Sequence, residues 1–127
     1  MCHNMGWVVE PYEREDGSIP VEEFQNSLPP KHYAKSVHDV DLLEEFGTAL
    51  REPYVKSVKR KRYKGLWELR TKFGSDISRI FYFLAVGKRF ILLHGYLKKD
   101  DKLDIRELEI ARKYMEDYLR RDVNEQG

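Results

Sequence analysis

Between residues 54 and 73 the chain carries eight basic side chains (Lys56, Lys59, Arg60, Lys61, Arg62, Lys64, Arg70 and Lys72) against a single acid, Glu68. Tyr54, Tyr63, Trp67 and Phe73 are interleaved with them. Cations gather phosphates and aromatic faces stack on bases, so this stretch has the chemistry of a nucleic-acid contact. Lysines on an exposed edge strand also guard against aggregation, and for residues 59–64 alone that account serves equally well.

Strand pairing sharpens the pattern. If Gly74-Ser75 is a two-residue turn, Phe73 faces Asp76 and Arg70 faces Arg79. If Val86-Gly87 centres the next turn, Leu84 faces Arg89 and Arg79 faces His94. Arg70, Arg79 and His94 then form one row, with Tyr96 and Lys98 further down the same face at spacing two. The opposite face takes Trp67, Leu69, Ile80, Tyr82, Leu84, Ile91, Leu93 and Leu97 as core, while Phe81, Phe83, Phe90 and Leu92 beside the row need cover from a terminal helix. Two arginines placed opposite each other repel, at a cost of roughly a few tenths of a kcal/mol. A bound anion would offset that repulsion and makes the row a candidate phosphate site. For a single strand arginine, a salt bridge to Glu68 or to a helix is the simpler account.

The remaining chemistry is sparse. His32 and His38 fall on different faces of one helix, and no Cys/His/Asp cluster has metal-ligand spacing, so no metal and no cofactor are expected. There is no phosphate-cradling glycine motif and no nucleophile elbow. RNA can still be cut without a metal, because its 2′-hydroxyl is an internal nucleophile. That route needs a proton acceptor, a proton donor and cations on the phosphorane charge. Taken singly, His94 reads as a hydrogen-bonded structural histidine.

The elements that must carry these residues follow from periodicity. Residues 7–12 suit a short edge strand, with Pro11 limiting its pairing. A helix follows, with Ser18 as its cap and Val21, Phe24 and Leu28 on one face; Pro29-Pro30 ends it. A second helix spans about 31–46, with the stripe Tyr33, Val37, Val40 and Leu43, and stops at Gly47. Beyond Pro53 the period becomes two. Residues 54–63 suit a strand and basic loop, and 66–73, 77–84 and 90–98 an antiparallel meander. The final helix covers about 105–121, with Asp104 and Glu107 at capping-box spacing and Leu108, Ala111, Met115 and Tyr118 as its stripe. The expectation is one α+β domain over residues 1–127, with a disordered tail from about 122.

Charge is divided along the chain. Residues 1–50 hold three Lys/Arg and ten Asp/Glu, and residues 51–127 hold twenty and twelve. That split fits a polyanion partner for the second half, and equally two solvated faces that attract each other. Cys2 is the only cysteine, no apolar run reaches membrane-spanning length, and no signal-peptide pattern opens the chain, whose start is either Met1 or Met5. The expected place is the cytoplasm, with no membrane partner.

Leu66-Trp67-Glu68-Leu69-Arg70, Ser78-Arg79-Ile80-Phe81-Tyr82 and Leu92-Leu93-His94-Gly95-Tyr96-Leu97-Lys98-Lys99 together resemble the core of phage-derived HigB-like toxins. Glu52-Pro53-Tyr54-Val55-Lys56 upstream and Arg106-Glu107-Leu108-Glu109-Ile110-Ala111 downstream extend the resemblance to about residues 21–119. It implies a RelE-like fold, two N-terminal helices packed on a twisted antiparallel sheet with a C-terminal helix. It implies a toxin that cuts messenger RNA on the ribosome by 2′-hydroxyl attack. It further implies a HigA-like helix-turn-helix antitoxin that neutralises the toxin and links it indirectly to operator DNA. By motif position the functional cations map to Arg70, Arg79, Lys98 and Lys99, with His94 in addition. Lys56, Lys59, Arg60, Lys61, Arg62, Lys64, Lys72 and Tyr96 would contact RNA. One departure stands out: Lys98-Lys99 is followed by Asp100-Asp101, where relatives carry neutral polar residues. Extra acids there weaken phosphate binding or simply precede the helix cap. A catalytically inactive module on the same fold, binding RNA or ribosome or serving as antitoxin co-repressor, is the alternative.

Overall fold

The computed structural model describes residues 6–98 and 104–126. In chain order the elements are β1 (Val8–Pro11), α1 (Pro20–Asn26), α2 (Pro30–Phe46), a 3-10 turn (Gly47–Ala49), β2 (Val55–Ser57), a second 3-10 turn (Lys61–Tyr63), β3 (Trp67–Phe73), β4 (Asp76–Ala85), β5 (Arg89–Lys98) and α3 (Ile105–Gln126). The strands form one sheet in the order β1-β5-β4-β3-β2, with β1 parallel to β5 and the rest antiparallel. The α+β class and the β3-β4-β5 meander match expectation. The two N-terminal helices that the resemblance implies do not open the fold: β1, where residues 7–12 suit an edge strand, is the first described element, and both helices follow it. Val8 N–H donates to Lys88 O at 3.0 Å and Tyr12 N–H to Leu92 O at 2.8 Å, which fastens the first strand to the free edge of β5.

Several local expectations are corrected by specific contacts. Ser18 is not the α1 cap. Its hydroxyl donates to Asp16 Oδ1 (2.6 Å) inside the preceding turn, and Ile19 takes the cap position. Helix α2 buries His32, Ser36, Asp39 and Leu43, whereas Tyr33 of the expected stripe is 40% exposed. Polar contacts set that rotation: Thr71 Oγ1 donates to Asp39 Oδ2 (2.8 Å) and Gln25 Nε2 to Ser36 Oγ (3.0 Å). Strand β2 ends at Ser57, and the segment expected to continue it leaves the sheet, with Val58 and Tyr63 buried as anchors.

The sheet is apolar on both faces. Val21 of α1 and Leu43 of α2 pack with Val55, Leu69, Ile80 and Tyr82 on one side. Leu108 and Ala111 of α3 pack on Phe81, Phe83, Ile91 and Leu93 on the other, so α3 supplies the predicted cover through its predicted stripe. Ile91 and Leu93 therefore lie opposite the face expected for them, while Phe90 and Leu92 join the α1/α2 side; Leu97 is 40% exposed.

The cause is the β4–β5 register. Ala85 pairs with Arg89, so Val86-Gly87-Lys88 is a three-residue turn with Gly87 and Lys88 at φ 86° and 60°. A bulge between Phe81 and Tyr82, which face His94 and Leu92, adds a second shift and leaves Leu93 unpaired. Near the turn one shift inverts the faces, and beyond the bulge two shifts restore them.

Gly95 follows the bulge because α1 lies directly upon it: a Cβ there would come within 2.3 Å of the Phe24 ring. Gly95→Ala should cost roughly 1–3 kcal/mol through overpacking and lower Tm by several degrees in a thermal melt.

Candidate nucleic-acid interface

Arg70 stands directly opposite Arg79, as the two-residue Gly74-Ser75 turn requires. The row continues to Tyr96 and not to His94, because the three-residue turn and the bulge together move β5 by two positions. His94 lies one row along the same face, level with Phe81 and Glu68. The row on the other side is Lys72, Ile77 and Lys98.

Arg79 is 4% exposed and donates through Nη1 to Glu68 Oε1, a buried ion pair between adjacent rows. It meets part of the repulsion between the arginines, in the way the simpler account of a single strand arginine foresaw. It does not complete the site. Arg79 Nε, Glu68 Oε2, Arg70 Nε and Tyr96 Oη are all buried without a hydrogen-bond partner. Each such group costs about 1–3 kcal/mol when unsatisfied. Burial pushes the Tyr96 phenol up to about 12, with Arg79 pulling the other way, so it stays protonated at neutral pH.

Glu68, Arg70 and Arg79 floor an open cavity of about 460 Å³, whose other walls are Lys56, Ser57, Val58, Lys59, Arg60 and Lys98; Tyr96, its hydroxyl buried, does not line it. Among the described residues that line it, six cations face one carboxylate, and that carboxylate is already committed to Arg79. The cavity thus has a strong positive potential and suits a phosphate.

The other predicted residues are placed differently. Lys61, Lys64 and Lys72 are exposed and do not line the cavity. Arg62 turns away to α3, where Nε and Nη2 donate to the two Glu109 oxygens at 2.6 and 2.9 Å, and Tyr63 donates to the same carboxylate. This fork clamps the basic loop, leaving Lys59 and Arg60 at the cavity. His94 Nε2 lies 2.5 Å from Glu107 Oε2, and its ring packs against Tyr96 and Tyr114. These contacts hold β5 to α3. Glu107 is consequently not the second half of a capping box, although Asp104 does cap α3, accepting from Arg106 N–H at 3.0 Å. Lys99, Asp100 and Asp101 lie outside the described residues. Sequence reading missed the Glu109 clamp, since nothing local links residues so far apart in the chain.

Among the described residues no group of three or more His, Cys, Asp or Glu is arranged to hold a metal, and no helix is long and apolar enough to cross a membrane. The family model described as phage derived protein Gp49-like (DUF891) matches residues 23–116. The chain belongs to this Gp49-like family. The family is phage-derived and toxin-like, and the matched span of this Gp49-like protein contains the whole cavity, from Lys56 to Lys98. No curated protein matches the chain.

Two predictions follow from this geometry. Arg79→Ala strands a buried carboxylate and should cost about 3–5 kcal/mol in urea unfolding, whereas Arg70→Ala, with no ion pair to break among the described residues, should stay within about 1 kcal/mol of wild type. The Arg62 hydrogen bonds, then that of Tyr63, hold Glu109 down from 4.5 to about 2. A depressed carboxylate contributes stability above its unfolded pKa and loses it as pH falls through the folded one. The Tm gap between wild type and Glu109→Gln should therefore be full above about pH 5 and close towards pH 2.

Proposed function

We propose that this Gp49-like protein is the toxin of a toxin–antitoxin pair on a RelE-like fold of the HigB branch, a ribosome-dependent endoribonuclease of messenger RNA. The observation that carries the reading is the six-cation cavity floored by Arg70 and Arg79 side by side. Such a floor suits the two non-bridging oxygens of a phosphodiester, and its charge is greatest where the phosphorane gathers negative charge. In the reaction the 2′-oxygen of the substrate bonds to phosphorus and the bond to the 5′-oxygen breaks, leaving a 2′,3′-cyclic phosphate and a 5′-hydroxyl. The proton of the 2′-hydroxyl passes to solvent water, and a protein group gives one to the departing 5′-oxygen. Lys98, which lines the cavity one row from the arginines, would supply the second proton. Lys56, Lys59 and Arg60 would hold flanking phosphates. The polypeptide partner is a helix-turn-helix antitoxin, the protein acts in the cytoplasm, and the chain functions as one domain.

The buried Arg79–Glu68 pair favours a second reading, a binding module that blocks the ribosome without cutting. Expression in a bacterial host, with 5′ ends of cellular messages mapped beside an Arg70→Ala control, separates the two. Arg70 is the better control because its loss leaves the ion pair intact. Growth arrest with new in-frame ends inside translated messages, lost in Arg70→Ala, is the expected result. Arrest without new ends supports the blocker, and a soluble, folded protein that causes no arrest removes both toxin readings and leaves an inactive antitoxin partner.

A further inference from the structure

Trp67 opens strand β3 opposite Ser57, on the face away from Arg70, and is 40% exposed. The other tryptophan, Trp7, shows the usual alternative, its ring packed on Phe90 at 5.2 Å. Trp67 borders a small apolar pocket with Tyr82, Leu84 and Phe90 and, among the described residues, is left only partly covered. It forms one wall of a second open cavity of about 420 Å³, whose other walls include Arg51, Glu52, Lys56, Ser57 and Lys59. Lys56, Ser57 and Lys59 also line the cationic cavity. The two spaces therefore share walls at the end of β2, the three-residue edge strand from which the chain departs after Ser57. Lysines stand at the junction, the arginine floor lies on one side and a partly exposed indole on the other. Three residue steps along β3 separate Trp67 from Arg70, about 10 Å of backbone at roughly 3.3 Å each, and because the two stand on opposite faces an extended ligand must pass around the β2 edge to touch both.

Resting on the nucleic-acid reading above, we infer that Trp67 is a base-stacking subsite: a single-stranded RNA whose phosphate sits on Arg70 and Arg79 passes over Lys56 and Lys59 and lays a neighbouring base on the indole. A groove of cations that ends on an exposed aromatic ring is how single strands are held without pairing to them. Neither a duplex, whose bases are stacked inside, nor a lone phosphate uses the ring. The subsite accepts any base with an adequate π-face and prefers purines.

The test uses the full chain and a 2′-O-methyl oligoadenylate, which lacks the nucleophilic hydroxyl and stays uncut, beside an abasic oligomer with the same number of phosphates. Oligoadenylate should quench tryptophan fluorescence in wild type, and Trp67→Leu should abolish the quenching. That variant should bind oligoadenylate roughly 5- to 100-fold more weakly, the effect of one stacked base, with an unchanged salt slope and unchanged affinity for the abasic oligomer. Arg70→Ala should weaken both oligomers and reduce the salt slope by about 0.7, the value for one phosphate on a single strand. Unquenched fluorescence and equal affinity in Trp67→Leu, while Arg70→Ala still weakens binding, would overturn the subsite, leave the cationic cavity standing and mark the ring as a protein-docking surface. Failure of wild type to bind either oligomer at low salt would overturn the subsite and the nucleic-acid reading together.

Discussion

Strand β4 is apolar on both sides, with Ile80 and Tyr82 facing one way and Phe81 and Phe83 the other. A sheet with such a centre cannot leave a face to water, so helices must cover both. Helices α1 and α2 take one face. Helix α3 takes the other over β4 and β5, where Leu108 and Ala111 become fully buried. The β2–β3 corner on the α3 side is closed by the loop after β2, not by a helix, and it is there that Lys56, Glu68 and Arg70 meet. The site occupies the part of the sheet that the core does not need.

Within that corner two arginines of equal charge have different surroundings. Arg79 is sunk in the sheet and fixed by Glu68, so it is oriented before any ligand arrives. Arg70 is half-buried, with one nitrogen unmatched and no acid in ion-pair range among the described residues. The pair combines a rigid element with an unsatisfied one, which favours an incoming anion over a protein carboxylate. The Arg62–Glu109 fork has a related effect at longer range. It uses one loop cation for attachment, so that Lys59 and Arg60 are held at the rim and pay less entropy on binding.

How much of this was legible in the sequence depended on the turns. Gly74-Ser75 is a two-residue turn, and from it the pairing of Arg70 with Arg79 follows with no further information. The β4–β5 turn holds Lys88, a residue with a Cβ, at φ 60°, and neither that nor the bulge at Leu93 leaves a mark in the periodicity. His94 was therefore assigned the place that Tyr96 fills, and Ile91 the wrong face. The α2 stripe holds at Val40 and Leu43 but not at Tyr33: a hydrogen bond from Thr71, far off in the chain, brings Asp39 inward and turns the first half of the helix. Local patterns gave the elements, and contacts distant in sequence set their rotation and shift.

The parallel pairing of β1 with β5 joins the first strand to the last, and Tyr12 donates to Asp117 across 105 positions. Such contacts form late, because each requires a long stretch of chain to be closed first. On a translating ribosome Val8–Pro11 emerges early and then waits without its neighbour until Leu92 has followed. The α3 cover and its Glu109 fork come later still. The cationic corner is consequently assembled only once α3 has been made, and a nascent chain interrupted before that point carries the basic segment without the geometry that makes it a site.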